Sequence, residues 1–287
     1  MKRPAPLSPG DTIALAAPSR FATLDQVQEI TRLLESRGYK VHIDEDVLAR
    51  DFQFAGTDKQ RAEVFNRLIH NNEIKAIWCM RGGYGAGRLL PHLDFEYLAN
   101  HPKWVIGFSD ITAIHSAMLK WGVACLHAPL ATTLITSPSA VVDECFDLLE
   151  GRMSKSSFLH TAGMLELADS RIVGGNLSVL YSINGSPWLD IHEGDVLLIE
   201  DIDEMLYHID RMMNNLLLSG VLAKLSGVLI GHFTAMRDST QEFGFSTDNP
   251  FGKNAIEIIA SYLAPLGIPY AIVPVGHESE NYPIILG

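Results

Sequence analysis

Short apolar runs and helically spaced apolar positions take turns along the first half of the chain. TIALAAP (12–18) is a brief unbroken apolar run, as in a buried strand. TLDQVQEITRLLESRG (23–38) places Leu24, Val27, Ile30, Leu33 and Leu34 at helical spacing and stops on a glycine. YKVHI (39–43) reads as the next strand, TDKQRAEVFNRLIHN (57–71) as a helix capped by Thr57 or Asp58, and KAIWCM (75–80) as a third strand. WVIGF (104–108) then predicts a strand, DITAIHSAMLKWG (110–122) a helix ending on Gly122, and ACLHAP (124–129) another strand. Repeated strand–helix units predict a parallel sheet covered on both faces.

From about 131 to 170 the periodicity blurs, and TTLITSPSA and GRMSKSSF are rich in Ser and Thr. A boundary is expected here: an N-terminal α/β domain over 1–135, a linker over 136–168 and a C-terminal domain over 169–287. The second part begins near RIVGGNLSVL (171–180). DVLLIED (195–201) predicts a strand ending in acids, and DEMLYHIDRMMNNLLLSG (203–220) a strongly amphipathic helix. SGVLIGHF (226–233) predicts a strand, KNAIEIIASYLAPLG (253–267) a helix, and PYAIVPVGH (269–277) a strand running into a histidine. The fold class is α/β: an N-terminal parallel-sheet domain and a smaller, β-rich α/β C-terminal domain. The apolar LLLSGVLA stretch (216–223) fits either the core or a homodimer face.

Composition narrows the class of partner. With 287 residues, of which 47% are hydrophobic, the chain is long enough for one large or two smaller cores. Its net charge of −12 repels phosphate backbones and anionic lipid surfaces, which argues against nucleic acid and membrane as partners. Cys79, Cys125 and Cys145 have no CxxC spacing, and two lie in apolar runs, so reduced and mostly buried thiols are expected. Prolines and an aspartate interrupt the N-terminus before any leader-like apolar core forms, and no segment is long enough to span a bilayer. A cytoplasmic location is the expectation.

Four places carry candidate chemistry. In GFSDI an apolar strand stops at Ser109–Asp110 and a helix follows at once. Ser109 there is either a helix cap or a nucleophile on a sharp turn, with the Asp110 amide at a helix start ready for a developing oxyanion. The sequence resembles G-x-S-x-G but lacks the last glycine. In CMRGGYGAGRLL (79–90), Gly82 and Gly83 either serve a turn or bring amides close to a ligand. This stretch is neither a P-loop nor G-x-G-x-x-G. Arg81 offers a bidentate partner for a carboxylate, and Gly82 and Tyr84 of the same turn join it as substrate-binding candidates. In EDIDE (200–204), Asp203 and Glu204 fit as cap and first-turn acids, which leaves Glu200 at the strand end to orient a histidine or join a cation site. Tyr207 and Arg211 lie one helical turn apart and face one cleft. His277 ends the last long strand. A serine, a glutamate and a histidine at three strand ends is the arrangement expected where an α/β sheet opens to a ligand.

These residues resemble a known family. APS after the first strand, RGGYG, GFSDIT, GGNLSVL, EDIDEMLYHIDRM and the GH…N.P…LG ending occur here in the order seen in LD-carboxypeptidases, over nearly the whole chain. The resemblance implies a serine peptidase with Ser109 as nucleophile, His277 as general base and Glu200 as its orienting partner. The oxyanion hole would use the amides of Gly83 and Asp110, at an interface between an N-terminal domain bearing the serine and a C-terminal domain bearing the acid and base. It also implies a murein tetrapeptide substrate that loses its terminal D-alanine, and no metal or cofactor. Two departures stand out. Glu278 follows His277 where the family commonly has glycine, and the chain stops at Gly287, where a further strand is expected and a sheet edge is left open. A microcin C immunity-type serine peptidase acting on a peptidyl or aminoacyl nucleotide is the near alternative. A non-catalytic peptide- or sugar-binding module and a metal-dependent hydrolase built on EDIDE are the distant ones.

Overall fold

The structure, a computed structural model, describes residues 1–161 and 170–287. The first half alternates as its pattern predicts, with one helix, α3, that no periodicity had marked: β1 (Thr12–Ala16), α1 (Leu24–Ser36), β2 (Lys40–Ile43), α2 (Asp58–His70), β3 (Ile74–Cys79), α3 (Phe95–Asn100), β4 (Trp104–Gly107), α4 (Thr112–Lys120) and β5 (Cys125–His127). Thr23 and Thr57 open α1 and α2 with full capping boxes, each completed by the glutamine three residues on. Three short helices follow, α5 (Ala131–Leu134), α6 (Ser139–Leu149) and α7 (Phe158–Thr161). The second half contains β6 (Ile172–Asn176), α8 (Leu177–Ile183), β7 (Asp195–Ile202), α9 (Leu206–Leu218), β8 (Leu225–Thr234), α10 (Ala255–Leu263), β9 (Tyr270–Ile272) and β10 (Ile284–Leu286).

Two sheets result. The first has the order β10-β5-β4-β3-β1-β2 and the second β6-β7-β8-β9. Every pairing is parallel except that of β10, which runs antiparallel to β5 with Ile284 opposite His127. The final strand therefore returns to the N-terminal sheet and forms its edge.

Strand alternation divides the first sheet between two cores. Ile13, Leu15, Trp78 and Ile106 point to the face covered by α1 and α6. Ala14, Ala16, Ile77, Cys79 and Val105 point to the face covered by α2 and α4, and that core continues into the second sheet. Every residue of α4 from Thr112 to Leu119 is buried, as expected of a helix packed on all sides. This helix touches both β5 and β6, and so sets the end of β4 beside the ends of β6 and β7.

Three expectations need correction. The segment expected to link two domains, 136–168, includes α6, which buries Val142, Cys145, Phe146 and Leu149 against the first sheet. Its helical spacing was masked by Ser- and Thr-rich flanks; residues 162–168, and residue 169 at the expected domain start, lie outside the described residues. Asp203 and Glu204 do not cap a helix: α9 starts at Leu206 without a side-chain cap, and Asp203 has a left-handed φ of 61°. His277 lies beyond the end of β9. Pro274 lacks an N–H and Gly276 has a φ of 121°, so the chain leaves the regular ladder, although Val273 N–H still donates to Ile230 O and His232 N–H to Val275 O. The 216–223 stretch is divided, with Leu216 and Leu222 in the core and Leu218 78% exposed. The three cysteines are free and buried. Among the described residues no helix is long and apolar enough to cross a membrane.

Candidate active site

Ser109 follows β4 by two residues and has a φ of 61°, a conformation that costs an L-residue about 1–2 kcal/mol. Neither the 3-10 turn at Ser109–Ile111 nor α4 has a side-chain cap bond, so Ser109 is not serving as a cap. Glycine supplies the room around it. A Cβ on Gly107 would lie 3.0 Å from Ile111 Cγ1, and one on Gly82 would lie 3.1 Å from both Cβ and Oγ of Ser109 and 3.5 Å from the Asp110 nitrogen. The RGGYG turn thus faces the serine with bare backbone.

The side chain of Asp110 ties this turn down. Its buried Oδ2 accepts the Ser19 hydroxyl at 2.5 Å and the Ala86 N–H at 2.8 Å. Burial pushes the Asp110 carboxyl up, opposed by those two bonds and by the Arg61 and Arg20 charges. Arg61, itself buried, donates to Pro18 O and Asp58, and its guanidinium fills the space a Cβ on Gly85 would need. Both loops beside Ser109 are therefore anchored from below.

Glu200 lies on β7, fully buried, and its Oε2 is 2.7 Å from Nδ1 of His277. Gly231 and Gly276 make space for it: a Cβ at either position would lie 3.0 Å from Glu200 Cβ. The Gly276 N–H is held by Asn281 Oδ1 at 2.8 Å, which fixes the turn carrying His277. With Nδ1–H directed at the carboxylate, Nε2 is left to accept a proton. Burial lowers the affinity of this imidazole for a proton, but the hydrogen bond and charge of Glu200, with Asp201 and Glu278, leave its pKa raised above 6.5. Glu278 thus acts on the ring only weakly, while its own Oε1 accepts from Thr234 Oγ1 at 2.9 Å.

Ser109 and His277 line one cleft of about 580 Å³, together with Gly82, Gly83 and Arg81. The Phe108 ring packs tilted against the His277 ring, with centroids 4.7 Å apart. No hydrogen bond joins Ser109 to His277 among the described residues; such contacts are often loose before substrate binds. Tyr84 is 55% exposed and leans on Phe54, and Tyr207 is exposed beneath the Arg211 guanidinium; neither lines the cleft.

The structure adds residues to which the sequence assigned no role. Asn176 N–H donates to Thr112 Oγ1 at 3.0 Å, and a Cβ on Gly175 would lie 2.4 Å from that oxygen. Asn176 Nδ2 then donates to Asp201 Oδ1 at 2.9 Å. This chain of contacts locks the helix after Ser109 to the strand of Glu200. Burial and the neighbouring Glu200 push the Asp201 carboxyl up to about 7. Arg20 also lines the cleft. The GGN motif was a visible signal for Asn176; nothing local marks Arg20.

With this geometry in place, comparison with known proteins is informative. The LD-carboxypeptidase N-terminal domain matches residues 13–128 and the LD-carboxypeptidase C-terminal domain matches residues 169–287. A murein tetrapeptide carboxypeptidase of Pseudomonas aeruginosa is 33% identical over 282 residues, covering 94% of this chain and 89% of that protein. The microcin C7 self-immunity protein of Escherichia coli is 30% identical over 267 residues, covering 79% and 77%. The crystal structure of muramoyltetrapeptide carboxypeptidase from Oxalobacter formigenes superposes with a TM-score of 0.80 at 27% identity, over 96% of this chain and 93% of that one. Both halves of the chain match in order and the whole fold superposes, so this protein belongs to the LD-carboxypeptidase family of hydrolases.

Proposed function

We propose that the chain is a serine-type LD-carboxypeptidase that releases the terminal D-alanine from murein tetrapeptides in the cytoplasm. The observation that carries this reading is the 2.7 Å contact between His277 and buried Glu200, in a cleft shared with a serine held at φ 61°. Glu200 fixes the ring tautomer and stabilises the imidazolium. His277 Nε2 takes the Ser109 proton as Oγ attacks the carbonyl carbon. The oxyanion falls to the amides of Gly83 and Asp110, where loss of one donor typically costs roughly a hundredfold or more in rate. The amine leaves with the proton from His277, and water then hydrolyses the acyl-serine. Arg81 is the candidate for binding the substrate carboxylate. Three free, buried cysteines agree with a reducing compartment.

Mass-spectrometric detection of D-alanine from a defined murein tetrapeptide tests the reading. Ser109→Ala is expected to abolish release while still binding the peptide. Cleavage of an aminoacyl sulfamoyl nucleotide in place of the tetrapeptide would move the assignment to the microcin-immunity type. Intact peptide with both substrates, or unchanged release by Ser109→Ala, would remove the serine mechanism. Activity that vanishes in chelator and returns with metal would move it to a metal hydrolase.

A further inference from the structure

The cleft beside Ser109 is lined by charges of both signs: the acids Asp201, Asp203 and Glu204, and the cations Arg20 and Arg81. The acids are already engaged. Asp201 accepts the Asn176 side chain and the N–H groups of Ser178 and Ile202, Asp203 pairs with Arg237 at 3.0 Å, and Glu204 meets His208 Nδ1 at 2.6 Å. Neither Arg20 nor Arg81 forms an ion pair with a carboxylate among the described residues, although the Arg20 charge reaches buried Asp110. An anionic group entering this cleft therefore finds two cations with no ion-pair partner of their own among the described residues to match its charge.

Arg20 is seated with unusual closeness on the turn facing Ser109. Gly83 has a φ of 107°, and a Cβ there would come within 2.6 Å of Arg20 Cδ and Nε and 2.9 Å of its Cγ. The bare glycine is thus needed for the stem of Arg20 to cross the turn. Behind it, the Arg20 N–H donates to Gly82 O at 3.4 Å, so backbone and side chain are both referred to the same two glycines. Gly83 is also the proposed oxyanion donor. A C-terminal carboxylate lies within one residue's length, about 3.8 Å between Cα atoms, of the carbonyl under attack. A cation whose stem packs on that same glycine is near enough to be a candidate for meeting it.

We propose that Arg20, with Arg81 beside it, binds the free α-carboxylate of the residue being released and so confines the enzyme to single C-terminal residues. The proposal rests on the serine carboxypeptidase reading above. A guanidinium offers paired N–H donors that match a carboxylate edge. A peptide continuing beyond the scissile bond would put an uncharged amide against two cations and forfeit that match.

The test compares a murein tetrapeptide bearing a free C-terminal carboxylate with the same peptide as a C-terminal carboxamide, reading D-alanine and D-alaninamide separately. The wild-type enzyme is expected to favour the acid by about ten- to a hundredfold in kcat/KM. Arg20→Gln should lose most of that preference through a higher KM for the acid, and Arg20→Lys should recover part of it. Equal cleavage of acid and amide by the wild type overturns the proposal whatever the variants do. So does an Arg20→Gln enzyme that keeps the wild-type preference, or a preference that disappears only in Arg81→Gln. These results leave the peptidase reading standing. Absence of any D-alanine release by the wild type removes that reading, and the carboxylate clamp with it.

Discussion

The carboxylate of Asp110 accepts the backbone N–H of Ala86 at 2.8 Å, joining the residue after the candidate nucleophile to the end of the RGGYG turn. Asp110 thus contributes twice, its amide as a proposed oxyanion donor and its side chain as the anchor of the loop carrying the other donor. Asp110→Ala keeps the amide and removes the anchor. It leaves the Ala86 N–H and the Ser19 hydroxyl buried without their acceptor, at a cost of about 1–3 kcal/mol each. Urea unfolding should show that loss. Steady-state kinetics should show kcat down by at least tenfold with KM nearly unchanged; a variant that lowers stability but keeps kcat would separate the anchor from catalysis.

Backbone strain at Ser109 gives a second expectation. Ser109→Ala and Ser109→Gly should both abolish turnover, but Ala keeps its Cβ at φ 61°. The glycine variant should therefore be the more stable of the two by about 1 kcal/mol in denaturant titrations. Equal stabilities would mean that the turn relaxes when the hydroxyl is gone.

His277 sets the pH response. The proposed mechanism needs a neutral ring, and the ring's pKa is raised above 6.5 despite its burial. The profile of kcat/KM should rise with pH through a midpoint above 6.5. Glu200→Gln should move the midpoint down strongly and Glu278→Gln slightly, following the order of their effects on the ring. The stability contribution runs the other way: the charged pair's share is fully present below 6.5 and is lost as pH rises through the raised value. A midpoint that ignores Glu200→Gln would contradict the pairing.

Two buried histidines govern acid stability. Burial lowers His115 to about 4 and His127 to about 3, the latter with no hydrogen-bond partner for either ring nitrogen among the described residues. Both rings are neutral when folded and take up a proton below 6.5 when unfolded. The stability they permit is present above 6.5 and lost as pH falls toward those low values. Each contributes a slope approaching about 1.4 kcal/mol per pH unit. Unfolding titrations between pH 6 and 4 should show a slope shallower by about one proton in His127→Leu; an unchanged slope would place a proton on the folded ring.

Much of this protein is written locally. Alternating apolar runs and helical spacings mark β1 to β5 and the helices α1, α2 and α4 between them, because a sheet covered on both faces needs unbroken apolar strands. The capping threonines before α1 and α2 are visible for the same reason: a helix start must satisfy its own first N–H groups within a few residues. Ser109 at its corner was legible as a choice between cap and nucleophile, and only the backbone angle and the absence of a cap bond set the cap aside.

What the tertiary structure alone decided are meetings between distant segments. Nothing in the ending Ile284–Leu286 names β5 as its partner, and nothing near Arg20 announces that Gly83 will lie beneath it. Asp203 and Glu204 looked like helix-start acids because spacing cannot show that the helix begins only at Leu206 and that Asp203 pairs with Arg237. Local sequence determines which hydrogen bonds a segment can close by itself. Those that remain open are closed by whatever packing brings near, and here that packing is the burial of α4 between the two sheets.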